Sequence, residues 1–238
     1  MQLPLIRKQK EAKGTYSFYF DNRNKIKYLP GQYFYFTLPQ LNYDDARGPT
    51  RHFTISSSPS EKEFKFTTRI REKSGYKKTL FELPMGTNLE VEGPNGTFIL
   101  DENEKGEHIL IAGGIGITPF RSFIKYNLDK DLGTQMHLIY SNSIPEEIAF
   151  ENELKAFSSN VNFITVDMTV TKPEESKINW SGLTGRVDSN LLNKLLLDLK
   201  NKTYWIAGPP AMVSAIEATL SELKIPGDKV KSDKFSGY

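Results

Sequence analysis

The sequence predicts a β barrel plus an α/β unit: an N-terminal antiparallel barrel followed by a C-terminal doubly wound parallel sheet. Two observations carry this. Over residues 1–102 the 238-residue chain is written in short runs rich in Phe, Tyr, Thr, Ile and Val, punctuated by Pro, Gly and Asn, which is barrel or sandwich grammar. From about residue 107 near-continuous apolar strands alternate with amphipathic stretches, as parallel strands joined by helical crossovers do. The polar connector "LDENEKGE", residues 100–107, separates them, so domains are expected at 1–102 and 103–238.

In the first half the expected strands are "GTYSFYF", "GQYFYFTL", "FTIS", "EFKFTTRI", "NLEVEGP" and "GTFIL". One helical turn is expected at "KKTLFEL", where Leu80 and Leu83 recur at i and i+3. In the second half "HILIAG", "QMHLIYS", "NFITVDM" and "TYWIAG" read as buried strands. Between them "PFRSFIKYNL", "PEEIAFENELKAF", "SNLLNKLLLDL" and "PAMVSAIEATLSEL" read as helices. Ser143 with Glu146 forms a capping signature before the second, and Pro145 suits a first helical turn. The last helix stops near Pro226-Gly227. The long polar loop "DMTVTKPEESKINWSGLTGRV" reads as an excursion.

Composition narrows the function classes. The balance of 31 basic against 29 acidic side chains, net +2, leaves no footprint for nucleic acid or an anionic membrane. Lys-rich pieces such as "RKQKEAKG" and "EKSGYKK" read as solvated faces. With no cysteine, disulfides, Cys-ligated zinc and Cys-ligated iron–sulfur clusters are excluded on this chain. His52, His108 and His137 lack a paired-ligand spacing, so no metal site is expected. There is neither a signal-peptide run nor a stretch of about 18 apolar residues, so the expected address is cytoplasmic, without membrane insertion.

Four segments carry chemistry. "RHFTISSSP", residues 51–59, sets an arginine beside Thr54, Ser56, Ser57 and Ser58; it is either an edge strand running into a Ser/Pro turn or a grip on something anionic and planar. "SGYKKTL" places Gly75, Lys77, Lys78 and Thr79 at a helix start, a phosphate seat or a solvated lysine pair. In "ILIAGGIGITPFRSF" an apolar strand meets Gly113, Gly114 and Gly116, and Thr118-Pro119 opens a helix. Glycines admit a diphosphate to the backbone amides, Thr118 can cap and Pro119 fits the first turn; a bare tight turn is the alternative. "TYWIAGPPAMV" repeats the theme with Ala207, Gly208, Pro209 and Met212 at a second strand end, where small residues leave room for a flat ring or simply make a Pro-rich turn.

In this order, and over nearly the whole chain, these segments resemble the ferredoxin–NADP reductase family, two-domain flavin reductases with a flavin barrel followed by a nicotinamide-binding α/β domain. "RHFT" is similar to its Arg-x-aromatic-Ser/Thr flavin signature, "PGQYFYFTL" to the strand before it, and "GYKKT" to its Gly-x-x-x-Ser/Thr phosphate motif. "GGIGITP" resembles its nicotinamide-diphosphate loop, "IAGPPAM" its Cys-Gly-Pro-x-x-Met segment, and "DKFSGY" its acidic-x-Phe-x-Gly-Tyr ending.

The resemblance implies roles. Within "RHFT", which includes His52, Arg51 is expected to pair with the flavin diphosphate, Phe53 to pack on the isoalloxazine or ribityl chain, and Thr54 to offer its hydroxyl near N5. Ser56 and Ser57 add hydrogen bonds. The main chain of residues 67–70, including Thr68, Arg69 and Ile70, runs along the cofactor, and Gly75, Lys77, Lys78 and Thr79 close on its phosphates. Gly113, Gly114, Gly116, Thr118 and Pro119 hold the nicotinamide diphosphate, with Ala207, Gly208, Pro209 and Met212 beside the ring. Thr54, Asp233 and the terminal Tyr238, with Ala207, form the reaction region. FAD is expected rather than FMN, with NADH or NADPH as hydride donor.

Two departures qualify the resemblance. Ala207 stands where the family has cysteine, so sulfur contacts to the ring are lost. "YSNSIPEE" carries neither a basic residue for a 2′-phosphate nor a strand-end carboxylate for a ribose diol; Ser141 and Ser143 suit either donor, which leaves the choice open. The expected function is an NAD(P)H-dependent flavin reductase feeding a separate carrier such as a ferredoxin, cytochrome or oxygenase component. A free-flavin or diffusible-acceptor reductase and a non-catalytic flavin-binding regulatory subunit are the alternatives.

Overall fold

The computed structural model describes residues 1–238 except Asn24, Lys105, Gly237 and Tyr238. Tyr238, expected in the reaction region, thus lies outside the described residues. Six strands build the first sheet: β1 (Gln2–Ala12), β2 (Thr15–Phe20), β3 (Tyr33–Thr37), β4 (Thr50–Thr54), β5 (Phe64–Arg69) and β6 (Asn88–Asn95). All its pairings are antiparallel, in the order β4-β3-β6-β1-β2-β5. An Ile55–Phe66 bridge draws the two edges together, closing the barrel. In β3, Phe34 and Phe36 alternate inward while Tyr33 and Tyr35 point out, as a half-buried strand requires. The interior is aromatic: Phe53 lies on Phe66 with ring centroids 4.2 Å apart and planes within 4°. Helix α1 (Gly75–Glu82) plugs the barrel with Tyr76 and Leu80.

The second sheet is parallel throughout, in the order β10-β9-β8-β7-β11-β12. Its strands are β7 (Glu107–Gly113), β8 (Met136–Asn142), β9 (Ile164–Val170), β10 (Leu183–Thr184), β11 (Lys202–Gly208) and β12 (Val230–Lys234). Helices α2 (Ile117–Asp129) and α3 (Glu151–Asn160) cover one face, and α4 (Ser189–Leu195) and α5 (Pro210–Glu222) the other. This is the expected doubly wound arrangement. Among the described residues, no helix is long and apolar enough to cross a membrane.

"RKQKEAKG" is a solvated face as expected, and its residues 7–12 also complete β1, with Arg7 3.5 Å over the Tyr19 ring so that a charged stem covers the sheet. Two local expectations are corrected. "GTFIL" forms no strand. Its apolar residues serve the other core, with Phe98 at 5.1 Å from Trp205 and 5.9 Å from Phe123, and Leu100 in the same cluster. "PEEIAFENELKAF" is not one helix: a 3₁₀ turn (Pro145–Glu147) precedes Phe150, which has φ 60° and re-aims the chain into α3. Glu146 does not cap; its carboxylate accepts from the Lys177 amide at 2.8 Å and the Ser176 hydroxyl at 3.0 Å, pinning the long loop.

Candidate functional site

The outward and inward faces of β4 decide what "RHFT" presents. Arg51 is 7% exposed, and its guanidinium donates to the carbonyls of Arg47 and Gly48, both at 2.9 Å, and of Thr50 at 2.7 Å. It also pairs with the Asp45 carboxylate. His52 points outward beside the rings of Tyr33 and Tyr35. The Phe53 side chain faces the barrel interior at 2% exposure; packing in the core, not a cofactor face, occupies its ring. Thr54, also buried, stands opposite Tyr33 in the ladder.

The serines that follow serve the scaffold. Ser56 and Thr67 share a hydroxyl pair at 2.8 Å, Ser57 meets the Tyr28 hydroxyl at 3.0 Å, and Ser58 is paired with Ser60. Their hydroxyls fix the turn between β4 and β5, so the extra flavin contacts expected of Ser56 and Ser57 fall to the main chain or to nothing.

Around the N-terminus of α1 cationic side chains outnumber the one carboxylate, Asp45, bonded there. Ser74 caps the helix, accepting from the Lys77 amide at 3.3 Å. Lys77 is buried, and burial, reinforced by Arg71, Arg47, Arg51 and Arg69, pushes its ammonium down to about 7. A small cleft is lined by Arg47, Arg51, His52, Phe53, Ser74, Lys77 and Ser236 of the C-terminal segment. Arg47, Arg51 and Lys77 line this cleft at a helix N-terminus, where cationic side chains and the helix start favour an anion, and the Asp45 carboxylate already answers Arg51. That is the electrostatic condition of a diphosphate seat, and the residues fit the group. Lys78 faces the Tyr43 ring and the Thr79 hydroxyl accepts the Asn42 amide at 3.0 Å.

A second site lies at the carboxyl ends of β7 and β11, where the strand order reverses. Ala112 and Ala207 are paired neighbours, as are Ala207 and Asp233. Gly116 must be glycine: a Cβ there would collide with the Ala207 carbonyl. Met212 and Pro209 lie directly over Gly113, and Gly208 lies against the Gly113 backbone, so the two loops read separately in the sequence meet at one strand end. Thr118 does not cap; its hydroxyl donates to the Ile115 carbonyl at 3.2 Å, and Gly116 is the residue before α2, with Pro119 in its first turn. Burial raises the Asp233 carboxyl above its ordinary range, and its field reaches Tyr33 on the barrel.

The two sites are joined by β5. Arg69 reaches across to pair with Glu147 and lines a narrow cavity with Thr15, Gly114, Ile115, Tyr140 and Asn142. Thr68 is buried on this strand, and Ile70, just past its end, is half-buried. Arg121 of α2 is the second link: it pairs with Glu61 from the barrel side and Glu153 of α3, and donates to the Ser56 carbonyl at 3.0 Å. Asp45, Arg47 and Ser74 were missed in the sequence. Asp-Asp-Ala-Arg reads as an ordinary polar loop, and only its folding back onto α1 gives it meaning.

A barrel with a cationic helix start, joined to a doubly wound sheet with glycine loops at its strand ends, is the framework of a two-unit dinucleotide-binding protein. Residues 2–100 match the model of the oxidoreductase FAD-binding domain and residues 110–218 that of the oxidoreductase NAD-binding domain. The chain belongs to the ferredoxin–NADP reductase-like family of NAD(P)H oxidoreductases, whose cofactors are FAD and a nicotinamide dinucleotide. Flavohemoprotein A of Dictyostelium discoideum is 25% identical over 96% of this chain and 58% of that protein. The glycine betaine monooxygenase reductase subunit of Chromohalobacter salexigens is 26% identical over 87% of this chain and 55% of that protein. The chain therefore spans just over half the length of these curated relatives. A ferredoxin NADP+ reductase from Neisseria gonorrhoeae, solved with bound FAD and NADP, superposes with a TM-score of 0.82 at 17% identity, over 98% of each chain.

Proposed function

We propose that the protein is a cytoplasmic reductase that moves hydride from NADH or NADPH to a bound FAD and delivers the electrons to a separate acceptor, a ferredoxin, cytochrome or oxygenase component. The observation that carries this reading is the cationic cluster at the start of α1 together with the glycine loops that meet at the carboxyl ends of β7 and β11. When bound, the flavin supplies the redox chemistry, accepting a hydride and releasing electrons singly or in pairs.

The chain binds and aligns. Arg51, Lys77, Lys78 and the amides at Gly75 hold the flavin phosphates, and the main chain of residues 68–70 follows the cofactor. Thr54 offers a hydroxyl to the reacting edge. Gly113, Gly114, Gly116, Thr118, Pro119, Gly208, Pro209 and Met212 hold the nicotinamide dinucleotide. Ala207 leaves room for its ring, and Asp233, raised by burial, borders the reacting atoms. The functional division is 1–102 and 103–238, with Phe98 and Leu100 reaching across it to the second core.

Arg51→Ala tests the seat. A phosphate deprived of charge-assisted hydrogen bonds worth about 1.5–3 kcal/mol loses affinity by about 10- to 100-fold. FAD titration followed by fluorescence quenching is expected to show that loss; unchanged affinity removes Arg51 from the site. A second reading, reduction of free flavin, is favoured by one feature: Asp45 already occupies the Arg51 fork.

A further inference from the structure

The donors assigned to the flavin phosphates already serve one short segment, residues 42–48, between β3 and β4. One Asp45 carboxylate oxygen pairs with the Arg51 guanidinium and accepts from the Arg47 amide at 3.1 Å. The other accepts the Tyr76 amide, in the first turn of α1, at 3.0 Å and the Ser74 hydroxyl at 3.1 Å. Farther along α1 the Asn42 amide is bonded to the Thr79 hydroxyl and the Tyr43 ring lies 3.8 Å from the Lys78 ammonium. The segment runs so close to the helix that a Cβ at Gly75 would collide with the carbonyl oxygens of Tyr43 and Asp44. Burial alone would raise the Asp45 carboxyl. The Tyr76 and Arg47 amides, the Ser74 hydroxyl and Arg51 outweigh burial and hold the carboxyl below its ordinary value, so it is an anion at neutral pH.

A carboxylate that takes a guanidinium, a helix-start amide and the capping hydroxyl stands where a phosphate oxygen finds its partners. We propose that Asp45 is an internal competitor for the flavin-phosphate seat. Flavin binding exchanges the carboxylate for a phosphate on Arg51 and the α1 amide, and residues 42–48 move outward. The inference rests on the reading of Arg51 and α1 as that seat. Its consequence is that Asp45 sets flavin affinity. Only the fraction of molecules with Asp45 withdrawn can bind, and apparent affinity falls in proportion to that fraction.

The test is FAD titration of the full chain at fixed ionic strength, comparing wild type with Asp45→Asn, and with Asp44→Asn as a control that removes the same charge from an exposed neighbour. Asp45→Asn is expected to bind FAD at least about tenfold tighter, and Asp44→Asn to stay within about twofold of wild type, as a screened surface charge does. Equal or weaker binding by Asp45→Asn, with FAD lost in Arg51→Ala, overturns the proposal and makes Asp45 an orienter of Arg51. Full FAD binding by Arg51→Ala overturns the seat reading itself, a separate failure. Hydrogen exchange on the wild type needs no variant to fold: the Asn42 and Arg47 amides are expected to exchange faster when FAD is added, and slower exchange contradicts the displacement.

Discussion

Lys77 carries the sharpest consequence at the scale of single residues. Its ammonium is pushed down to about 7 from an ordinary 10.5, by burial first and then by Arg71, Arg47, Arg51 and Arg69. Between those two values the folded chain binds fewer protons than the unfolded one, so this group makes stability rise with pH from about 7 to 10.5. A phosphate at the seat favours the ammonium and raises its pKa. FAD binding is therefore coupled to proton uptake, and affinity is expected to weaken as pH rises above about 7, by up to about tenfold per pH unit. Titrations from pH 6 to 9 in wild type and Lys77→Met check this: the slope should flatten in the variant, and an equal slope in both assigns the proton elsewhere. The placement of Lys77 at a helix start and of the glycines at a strand end was legible in the sequence because those signals are local to a motif. Two things were not. Phe53 follows Arg51 by two positions, so strand alternation alone allows both a ligand face and the core; the aromatic interior claims its ring. Asp45 has no motif, and its meaning depends on a loop folding back across 31 residues to reach Tyr76.

At the scale of elements, α2 does two tasks. Its N-terminus follows the glycine loop, and one turn later Arg121, 2% exposed, ties it to Glu61 and Glu153. Ser122 adds a hydrogen bond to the Ser57 carbonyl at 2.8 Å. Removing the cation strands two partly buried carboxylates, a cost of about 3–5 kcal/mol where burial is full and nearer the lower figure here, since Glu61 and Glu153 keep some solvent. Arg121→Met is expected to lower the denaturant midpoint accordingly and to slow flavin reduction by nicotinamide while leaving FAD affinity unchanged. Equal reduction rates in both proteins would confine Arg121 to stability. The parallel strands and most helices were legible because their apolar runs are long and their caps local. That the solvated Lys-rich face belongs to strand β1 was not, because a run of charged residues shows no alternation of burial, and "GTFIL" misled because strand-like residues here fill a neighbouring core as a linker. The break at Phe150 escaped because a capping signature and an amphipathic run imitate a continuous helix.

For the whole molecule, the proposed function requires the seats on the two sheets to be held in a fixed relation. Arg69 with Glu147 and Arg121 with Glu61 tie the barrel to the second unit. The order of the segments along the chain made the architecture legible before any coordinates. The side-chain bridges that lock the two units could not be read, because each partner is an unremarkable surface-type residue in its own stretch. On the proposed reading the two seats cooperate, so that a nicotinamide dinucleotide bound at the strand-end glycines reduces a flavin held by the barrel. The most direct test of that cooperation is the visible spectrum of the FAD-loaded protein under anaerobic conditions, before and after NADH and, separately, NADPH. The flavin band near roughly 450 nm is expected to bleach with at least one donor, since the cofactor reports its own redox state. Bound flavin that neither nucleotide bleaches would contradict the reductase reading and leave a flavin-binding protein without turnover.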